Sequence, residues 1–518
     1  MEIVENKALR LRVRSPERIM AVIPKSHYEG EHTPGIHTVL CHWGYDESLV
    51  LKNLGVKGVP SPINKNYKWP GIYTPMQHQR ETAEFLTLNP RAFCFDEMGL
   101  GKTVASAWAA DYLMTLGAIT RVLVICPVSI MDAAWRSDLF KSLMHRTVGI
   151  AHGERAKRVN VINSGCEFCI INYDGVPRVL DTLKAAKFDL IIMDEGNMVK
   201  SHQAARSKAI ASLIGAKTRV WLMTGTPAAQ SPEDAYGLAR LVSPDRVPRS
   251  LSVWKDRVMV RAGPFRWIPR INASAIVHEA LQPAIRHTAA ECLDLPGITY
   301  VDRVTPLTKQ QLTYYTKIKE QMVATAAGEE ITAVNAAALI NKLLQLSSGA
   351  MYSDTGAVVE FDMRTRLDAL EEVIRESTKK VLVFAPFRHT IAMLARDLAE
   401  RRISAEVISG DVTAPNRARI FKSFQEEQDP QVLIIQPQAA AHGVTLTAAS
   451  TVVWFGPTTS LDIYLQANAR AYRKGQQEKV LVVHLQGSEV ERRLYKALQT
   501  KNTAHIGLMD LYREILDT

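Results

Sequence analysis

Ten short apolar runs, rich in β-branched and aromatic residues, constrain this chain more than anything else in it. Five lie in the first half: "AFCF", "RVLVICP", "EFCIINY", "DLIIMDE" and "RVWLMTGTP". Five lie in the second: "KVLVFAPF", "AEVISGD", "QVLIIQP", "TVVWFGP" and "KVLVVHL". Helical patterns separate them. Strands that are apolar on both faces must be covered on both, so this rhythm predicts parallel sheets flanked by helices. The expected fold class is α/β, with two parallel-sheet lobes over 70–240 and 365–490. Residues 241–364 lack the rhythm and read as a mainly helical insertion. Residues 1–69 read as a small β-rich domain, and 491–518 as a C-terminal helical segment.

The bulk properties limit the function classes. A length of 518 residues corresponds to about three domains. The net charge of +10 leans toward a polyanionic partner. The six cysteines are scattered, which fits a reducing compartment. Cys166 and Cys169 form one CxxC, but a structural zinc wants four ligands and no second pair is near. The first 18 residues carry no apolar core of a signal peptide. Residues 430–461 hold no charged side chain. Polar residues such as Gln436 and His442 interrupt that stretch, so two buried strands and a loop account for it better than a membrane span.

The run "DLIIMDE" ends on Asp194 and Glu195. Two adjacent carboxylates at a strand end fit either a surface end or a site for a metal and a water. The segment "FCFDEMGLGKTVASAW" favours the second. A short strand leads into Asp96, Glu97, Met98, Gly99, Leu100, Gly101, Lys102 and Thr103, and a helical pattern follows. Gly99 and Gly101 would let backbone N–H groups curl around phosphate oxygens at a helix N-terminus. Lys102 would reach the β- and γ-phosphates, and the Thr103 hydroxyl would hold Mg²⁺. The strict phosphate-loop pattern has glycine where Asp96 stands. Asp194 is then expected to complete the magnesium site, and Glu195 to position and polarise the attacking water.

The motif series resembles the Swi/Snf-type DNA translocases of helicase superfamily two, in a minimal phage- or bacterial-like form with some likeness to annealing helicases. "DEMGLGKT" matches that family's own phosphate loop. "HQRETAEFL" (78–86) resembles its adenine-reading motif, with Gln79 as reader. "TGTP" (224–227), "GVTLTAAS" (443–450) and "QANARAYRKGQ" (466–476) resemble later motifs. The resemblance implies RecA-like lobes, ATP and Mg²⁺ as cofactors, and Gly443 and Gln466 at the nucleotide. It also implies double-stranded or branched DNA as partner, recognition of DNA or its branches by the domain at 1–69, and specificity supplied either by this chain or by another protein. A monomer in the cytoplasm of a bacterial or phage-infected cell is expected, with a nuclear setting left open. Asn197 departs from the family, which has a histidine there. Asparagine cannot become cationic, and that bears on how hydrolysis is coupled to movement.

Ser460 reads as an N-cap and Gly475 as a stop, so Gln466, Arg470 and Arg473 fall on one stripe of an expected helix. The stripe is either a solvated polar face or, beside a phosphate loop, two arginine fingers. For DNA, the resemblance marks Ser129, Lys200, Arg388, Thr445 and Thr447. Composition adds two patches. In "LRLRVRS" (9–15), Arg10, Arg12 and Arg14 alternate with apolar residues, as a phosphate-binding face or a charged edge strand. In "VWKDRVMVRAGPFRWIPR" (253–270), Arg257, Arg261 and Arg266 lie among Trp254, Phe265 and Trp267, as a nucleic-acid surface or as inward aromatics with outward cations. The overall expectation is a DNA-dependent ATPase that remodels branched or protein-bound DNA. The alternatives are a motor that displaces RNA polymerase and a DNA-binding ATP switch with little turnover.

Overall fold

The computed structural model describes residues 1–227, 231–262, 267–328, 333–352, 358–440 and 444–500. The chain divides into two compact units. The first comprises Met1–Gly225, Ala235–Trp254 and Ala275–Thr288; the second comprises Thr226–Asp234, Lys255–Ser274 and the described residues from Ala289 on.

The first unit begins with four antiparallel strands: β1 (Glu2–Val4), β2 (Ala8–Val13), β3 (Ser26–Thr33) and β4 (Ile36–His42). Their order is β1-β2-β4-β3. Strand alternation puts Leu9 and Leu11 on the buried face with Val39, Cys41 and Trp43. β2 pairs on both sides over Ala8, Leu9 and Arg10, and with β4 alone over Leu11, Arg12 and Val13. The edge-strand alternative for the arginine run is therefore corrected at Arg10 only. The sheet is tied to the rest of the unit by Tyr45, whose hydroxyl donates to Thr87 O (3.2 Å).

A seven-stranded parallel sheet forms the body of the first unit. Its strands are β5 (Arg91–Cys94), β6 (Val122–Cys126), β7 (Val148–Ala151), β8 (Phe168–Asn172), β9 (Leu190–Asp194), β10 (Arg219–Met223) and β11 (Ala284–Ile285). They run in the order β11-β5-β10-β9-β6-β8-β7. Every residue of β6, β8 and β9 is buried, which explains why their sequences are apolar without alternation. Helices α1 (Gln77–Leu88) and α2 (Lys102–Thr115) flank the strand that precedes the phosphate loop.

The second unit holds six parallel strands: β12 (Ile298–Val304), β13 (Lys380–Phe384), β14 (Ala405–Ile408), β15 (Val432–Ile435), β16 (Ala449–Trp454) and β17 (Val480–Gln486), in the order β12-β17-β16-β13-β15-β14. Alternate residues feed two separate cores. Val381, Val383, Ile434 and Val453 pack on one face; Leu382, Phe384, Leu433 and Trp454 pack on the other. Helix α3 (Arg364–Glu376) covers the first of these faces. Helix α4 (Leu461–Asn468) and helix α5 (Glu489–Gln499) add Tyr464 and Tyr495 to the second. Two strands, β11 and β12, come from the stretch that lacks the strand rhythm in sequence. Among the described residues no helix is long and apolar enough to cross a membrane.

Candidate nucleotide-binding and catalytic site

The phosphate loop runs from the end of β5 to the start of α2. Gly99 (φ +85°) and Gly101 (φ +78°) take left-handed conformations that other residues rarely adopt. At Gly101 a Cβ would have to displace the Gln79 side-chain amide, and the left-handed backbone disfavours any other residue there. Gln79 braces the loop: its Nε2 donates to Leu100 O (3.1 Å) and its Oε1 accepts from Met76 N (3.0 Å). His78 Nε2 lies 2.9 Å from the same carbonyl and donates to it. The Lys102 ammonium donates to the Asp96 and Glu97 carbonyls (2.6 and 3.1 Å), inside the loop. Half-buried Thr103 follows it on the first turn of α2.

Asp96 has a job that its place in the motif did not suggest. Its carboxylate is buried and accepts from Thr82 Oγ1 on α1 (2.7 Å) and from the His287 amide and Nδ1, each at 2.9 Å. Burial alone would raise the Asp96 carboxyl, but the hydrogen bonds from His287 and Thr82 outweigh it and hold it below its ordinary value. The other ring nitrogen of His287 lies 3.0 Å from Glu81 Oε2. The hydrogen bond to Asp96 raises the imidazole above its ordinary value, against burial. Sequence reasoning missed His287; it lies in "IRHTAAECLDLPG", 191 residues from its partner, with no local pattern to mark it.

Asp194 ends β9, between β6 and β10. Its carboxylate accepts from Trp135 Nε1 (2.9 Å) and from the Glu195 amide (3.0 Å), and Tyr173 donates to its carbonyl (2.7 Å). Burial pushes the carboxyl up, opposed by the charge of Lys102 and by these donors. A buried acid with this balance gains from a nearby cation. Its hard oxygens suit Mg²⁺, which takes few protein ligands and fills its sphere with phosphate and water. The next residue, Glu195, has φ +54°. A non-glycine residue held in this region costs about 1–3 kcal/mol and often marks a functional turn. Gly196 permits the turn, because a Cβ there would meet Leu222 Cδ2 at 2.3 Å. At the end of the neighbouring β10, Thr224 N donates to Cys94 O (3.0 Å), and a Cβ on Gly225 would touch Met98 at 3.4 Å. The ends of β5 and β9 are thus brought together around Lys102, with the end of β10 beside β5.

In the second unit α4 starts as expected, with the Ser460 side chain accepting from Ile463 N. It stops at Asn468, seven residues short of Gly475. The expected single helical stripe is therefore corrected: Gln466 lies on the helix, whereas Arg470 and Arg473 lie in the turns that follow. Bonds to main-chain carbonyls hold the turns that follow the helix. The Arg470 carbonyl accepts from Leu446 N (2.9 Å), and Gln476 Nε2 donates to Ala449 O (2.8 Å) and Ala471 O (3.0 Å). The two guanidinium groups both donate to Val444 O, at 3.3 and 3.1 Å. Both arginines are thereby gathered at one spot. Gly443 lies outside the described residues.

The DNA candidates scatter. Ser129 Oγ is buried and makes no hydrogen bond among the described residues. Lys200 is half-buried, and Gly237 packs on its carbonyl. Arg388 pairs with Asp411 (3.2 Å). Thr445 is exposed, while Thr447 accepts from Gln425 (3.1 Å). Arg10 is neutralised by Glu29 (2.8 Å) and Glu2 (3.2 Å), whereas Arg12 and Arg14 are exposed. Arg257 and Arg261 are exposed; Arg266 and Phe265 lie outside the described residues. Trp254 is 1% exposed and packs near Tyr236, so it is a core residue and not a base-stacking platform. Lys255 sits over the Trp267 ring at 4.6 Å. Cys166 and Cys169 are both buried, and no group of three or more metal-binding side chains occurs among the described residues.

Residues 78–350 match the SNF2-related domain family, and residues 365–475 match the helicase conserved C-terminal domain. The chain belongs to the SNF2-related family. This SNF2-related chain is 27% identical over 455 residues to a SWI/SNF-related matrix-associated actin-dependent regulator of chromatin subfamily A-like protein 1 homolog of Caenorhabditis elegans, covering 84% of this chain and 62% of the relative. It is 26% identical over 422 residues to the mouse DNA annealing helicase and endonuclease ZRANB3, covering 76% of this chain and 37% of the relative. It spans less than two thirds of either relative. Among solved structures, the Sulfolobus solfataricus SWI2/SNF2 ATPase core in complex with dsDNA aligns at 20% identity and TM-score 0.42, covering 86% of this chain and 95% of that one.

Proposed function

We propose that this chain is an ATP- and Mg²⁺-dependent motor that moves along double-stranded DNA and remodels branched or protein-bound sites. The observation that carries the reading is the convergence of Lys102, Asp194 and the strained Glu195 at the ends of β5 and β9, in a chain of the SNF2-related family. Lys102 is placed at a helix N-terminus, where it and the loop amides bind and orient the β- and γ-phosphates. Thr103 and Asp194 are the residues that would hold Mg²⁺, which supplies charge neutralisation on the phosphates. Glu195 orients a water and accepts its proton. Arg470 and Arg473 act as arginine fingers on the developing negative charge. DNA is favoured as partner by the net charge of +10 and by a relative named for DNA annealing.

A second reading has one observation behind it. Asn197 stands in the turn just after the catalytic carboxylates, and an asparagine there cannot become cationic. A DNA-binding ATP switch with little turnover would follow from poor coupling. Steady-state ATP hydrolysis, measured without DNA and with single-stranded, duplex and forked DNA, separates the two. The motor predicts a rate raised at least tenfold by duplex or fork. A rate that stays flat and near zero on every DNA would favour the switch.

A further inference from the structure

The parallel sheet of the first unit has a second end, away from the nucleotide chemistry. Asp194 and the phosphate loop lie at the carboxyl ends of its strands, where α/β sheets bind their ligands as a rule. At the amino ends a cavity of about 270 Å³ opens between the helix Leu180–Ala186, the start of β9 and the loop that leads into β10. Buried Leu123 and Ile191, the second residues of β6 and β9, line it from the sheet. Half-buried Phe188, Leu213 and Ile214 line it from the connections.

Lys184 and Lys187 also line the cavity, and no acidic residue does. Both lysines are exposed, and among the described residues neither takes part in an ion pair. Asp189, at the foot of β9, is already engaged: its carboxylate accepts from the Thr120 amide (2.8 Å), the Thr120 hydroxyl (2.6 Å) and the Arg121 amide (3.1 Å). The Arg121 guanidinium lies over the Phe188 ring at 4.7 Å and adds positive charge beside that side chain. Lys187 follows the helix with φ +47° and ψ 94°. Helices often end on a left-handed residue of this kind, and it is usually glycine, because a Cβ is strained there. A lysine at that position costs stability, yet it adds a second cation to the cavity.

Size and charge together select the occupant. Small-molecule sites run from about 300 to 1,000 Å³, so this cavity is too small for a cofactor of that kind and suits one or two apolar side chains. An apolar hollow beside two unpaired cations matches a protein segment that inserts one large apolar side chain and sets carboxylates on either side of it. A DNA backbone would meet the lysines but leave the apolar lining uncovered.

We propose that this cavity docks an acidic segment of a partner protein through one large apolar side chain, with its carboxylates on Lys184 and Lys187. Docking here leaves the nucleotide end of the sheet free and does not depend on whether the chain moves on DNA.

The test begins with selection of random twelve-residue peptides, displayed on phage, against the immobilised full chain. The recovered peptides are expected to share a leucine, phenylalanine or tryptophan flanked by two or more acidic residues. The tightest of them, synthesised with a fluorescent label, is then measured by anisotropy. Lys184→Glu combined with Lys187→Glu should weaken it about tenfold or more, and Lys184→Arg combined with Lys187→Arg less than about threefold. Leu213→Trp, which fills the cavity, and alanine in place of the peptide's apolar residue should each cost about tenfold or more. Lys187→Gly should raise the thermal midpoint by about 1–3 °C while weakening the peptide about threefold, which separates lost charge from a damaged fold. Duplex binding and ATP hydrolysis by the charge-reversed variant should stay within about twofold of the parent chain. Recovery of no acidic and apolar peptide, or a peptide indifferent to Lys184 and Lys187, would overturn the proposal. A tenfold loss of duplex affinity in the charge-reversed variant would make the surface a nucleic-acid contact and overturn it as well. Tighter binding of decanoate than of the best peptide would assign the cavity to a free amphipathic acid, with the same consequence.

Discussion

In the first unit the phosphate loop is tied through a buried carboxylate as well as through carbonyls; in the second the arginine turn is tied through main-chain carbonyls. Asp96 is fixed by Thr82 and His287, Leu100 O by His78 and Gln79, and Asp194 by Trp135. Arg470 and Arg473 instead sit in a turn secured through Leu446 N, Val444 O and the carbonyls that meet Gln476. The difference matters because the Asp96–His287 tie titrates, whereas amide and guanidinium donors on main-chain carbonyls do not. Among the described residues, the second unit has a fully buried charge pair elsewhere. Arg366 and Glu491 form a bidentate bridge (2.7 and 2.8 Å) between α3 and α5, and Arg366 also donates to Ser347 O and Phe455 O. The first unit thus has buried Asp96 and Asp194 at the chemistry, and the second uses the Arg366–Glu491 pair to hold the scaffold.

The largest effect expected from this division is in turnover. Arg470→Ala should lower kcat about 10³-fold while leaving ATP affinity within a few fold and the thermal midpoint close to that of the parent. A single-turnover assay with nucleotide binding measured alongside checks it; a loss mainly in affinity would place Arg470 in ground-state binding instead. Next comes the buried pair. Arg366→Ala should destabilise the second unit by about 3–5 kcal/mol, while the paired change Arg366→Met with Glu491→Leu should cost far less. Urea unfolding of the three proteins tests this, and equal costs for the single and paired changes would count against a scaffold held by charge. Gly196→Ala is smaller, about 1–3 kcal/mol from overpacking against Leu222, and should also depress hydrolysis by shifting Glu195.

The smallest effect is the one that titrates. His287 has a raised pKa, so its stabilising contribution is complete below the ordinary histidine value of about 6.5 and fades as pH rises through the higher folded value. Asp96 has a lowered pKa, so its contribution is complete above about 3.9 and fades as pH falls through the lower folded value. The tie is strongest between those two limits. The stability gap between the parent chain and His287→Gln should therefore be widest near pH 5 and narrow on the alkaline side. Thermal unfolding across pH reads it out, and a gap that widens on the alkaline side would show that His287 acts uncharged.

The strands buried on both faces were legible in the sequence because their apolar runs admit few other placements. Those it hid, β7, β11 and β12, are all sheet edges. β7 carries Gly149 and lies at the end of the first sheet, β11 has two residues, and the sequence of β12, "ITYVDRV", interrupts its apolar residues with charge. These three are short or interrupted by glycine and charge, whereas the edge strand β14 kept a readable run in "AEVISGD". The phosphate loop and the strand-end carboxylates were legible for a related reason, since their spacing is local. What stayed hidden depends on long-range partners. Nothing near Asp96 announces His287, nothing in "LRLRVRS" tells paired Arg10 from unpaired Arg12, and helical periodicity through "QANARAYRKG" gives no sign that Leu446 captures the Arg470 carbonyl.

The central claim is ATP-driven movement along intact duplex. The most direct measurement is displacement of a third strand bound in the major groove of a duplex, followed over time with and without ATP. The motor predicts displacement that requires ATP and Mg²⁺, is lost in Lys102→Ala and Arg470→Ala, and lags in proportion to the length of duplex ahead of the third strand. ATP hydrolysis at full rate with the third strand left in place would contradict it.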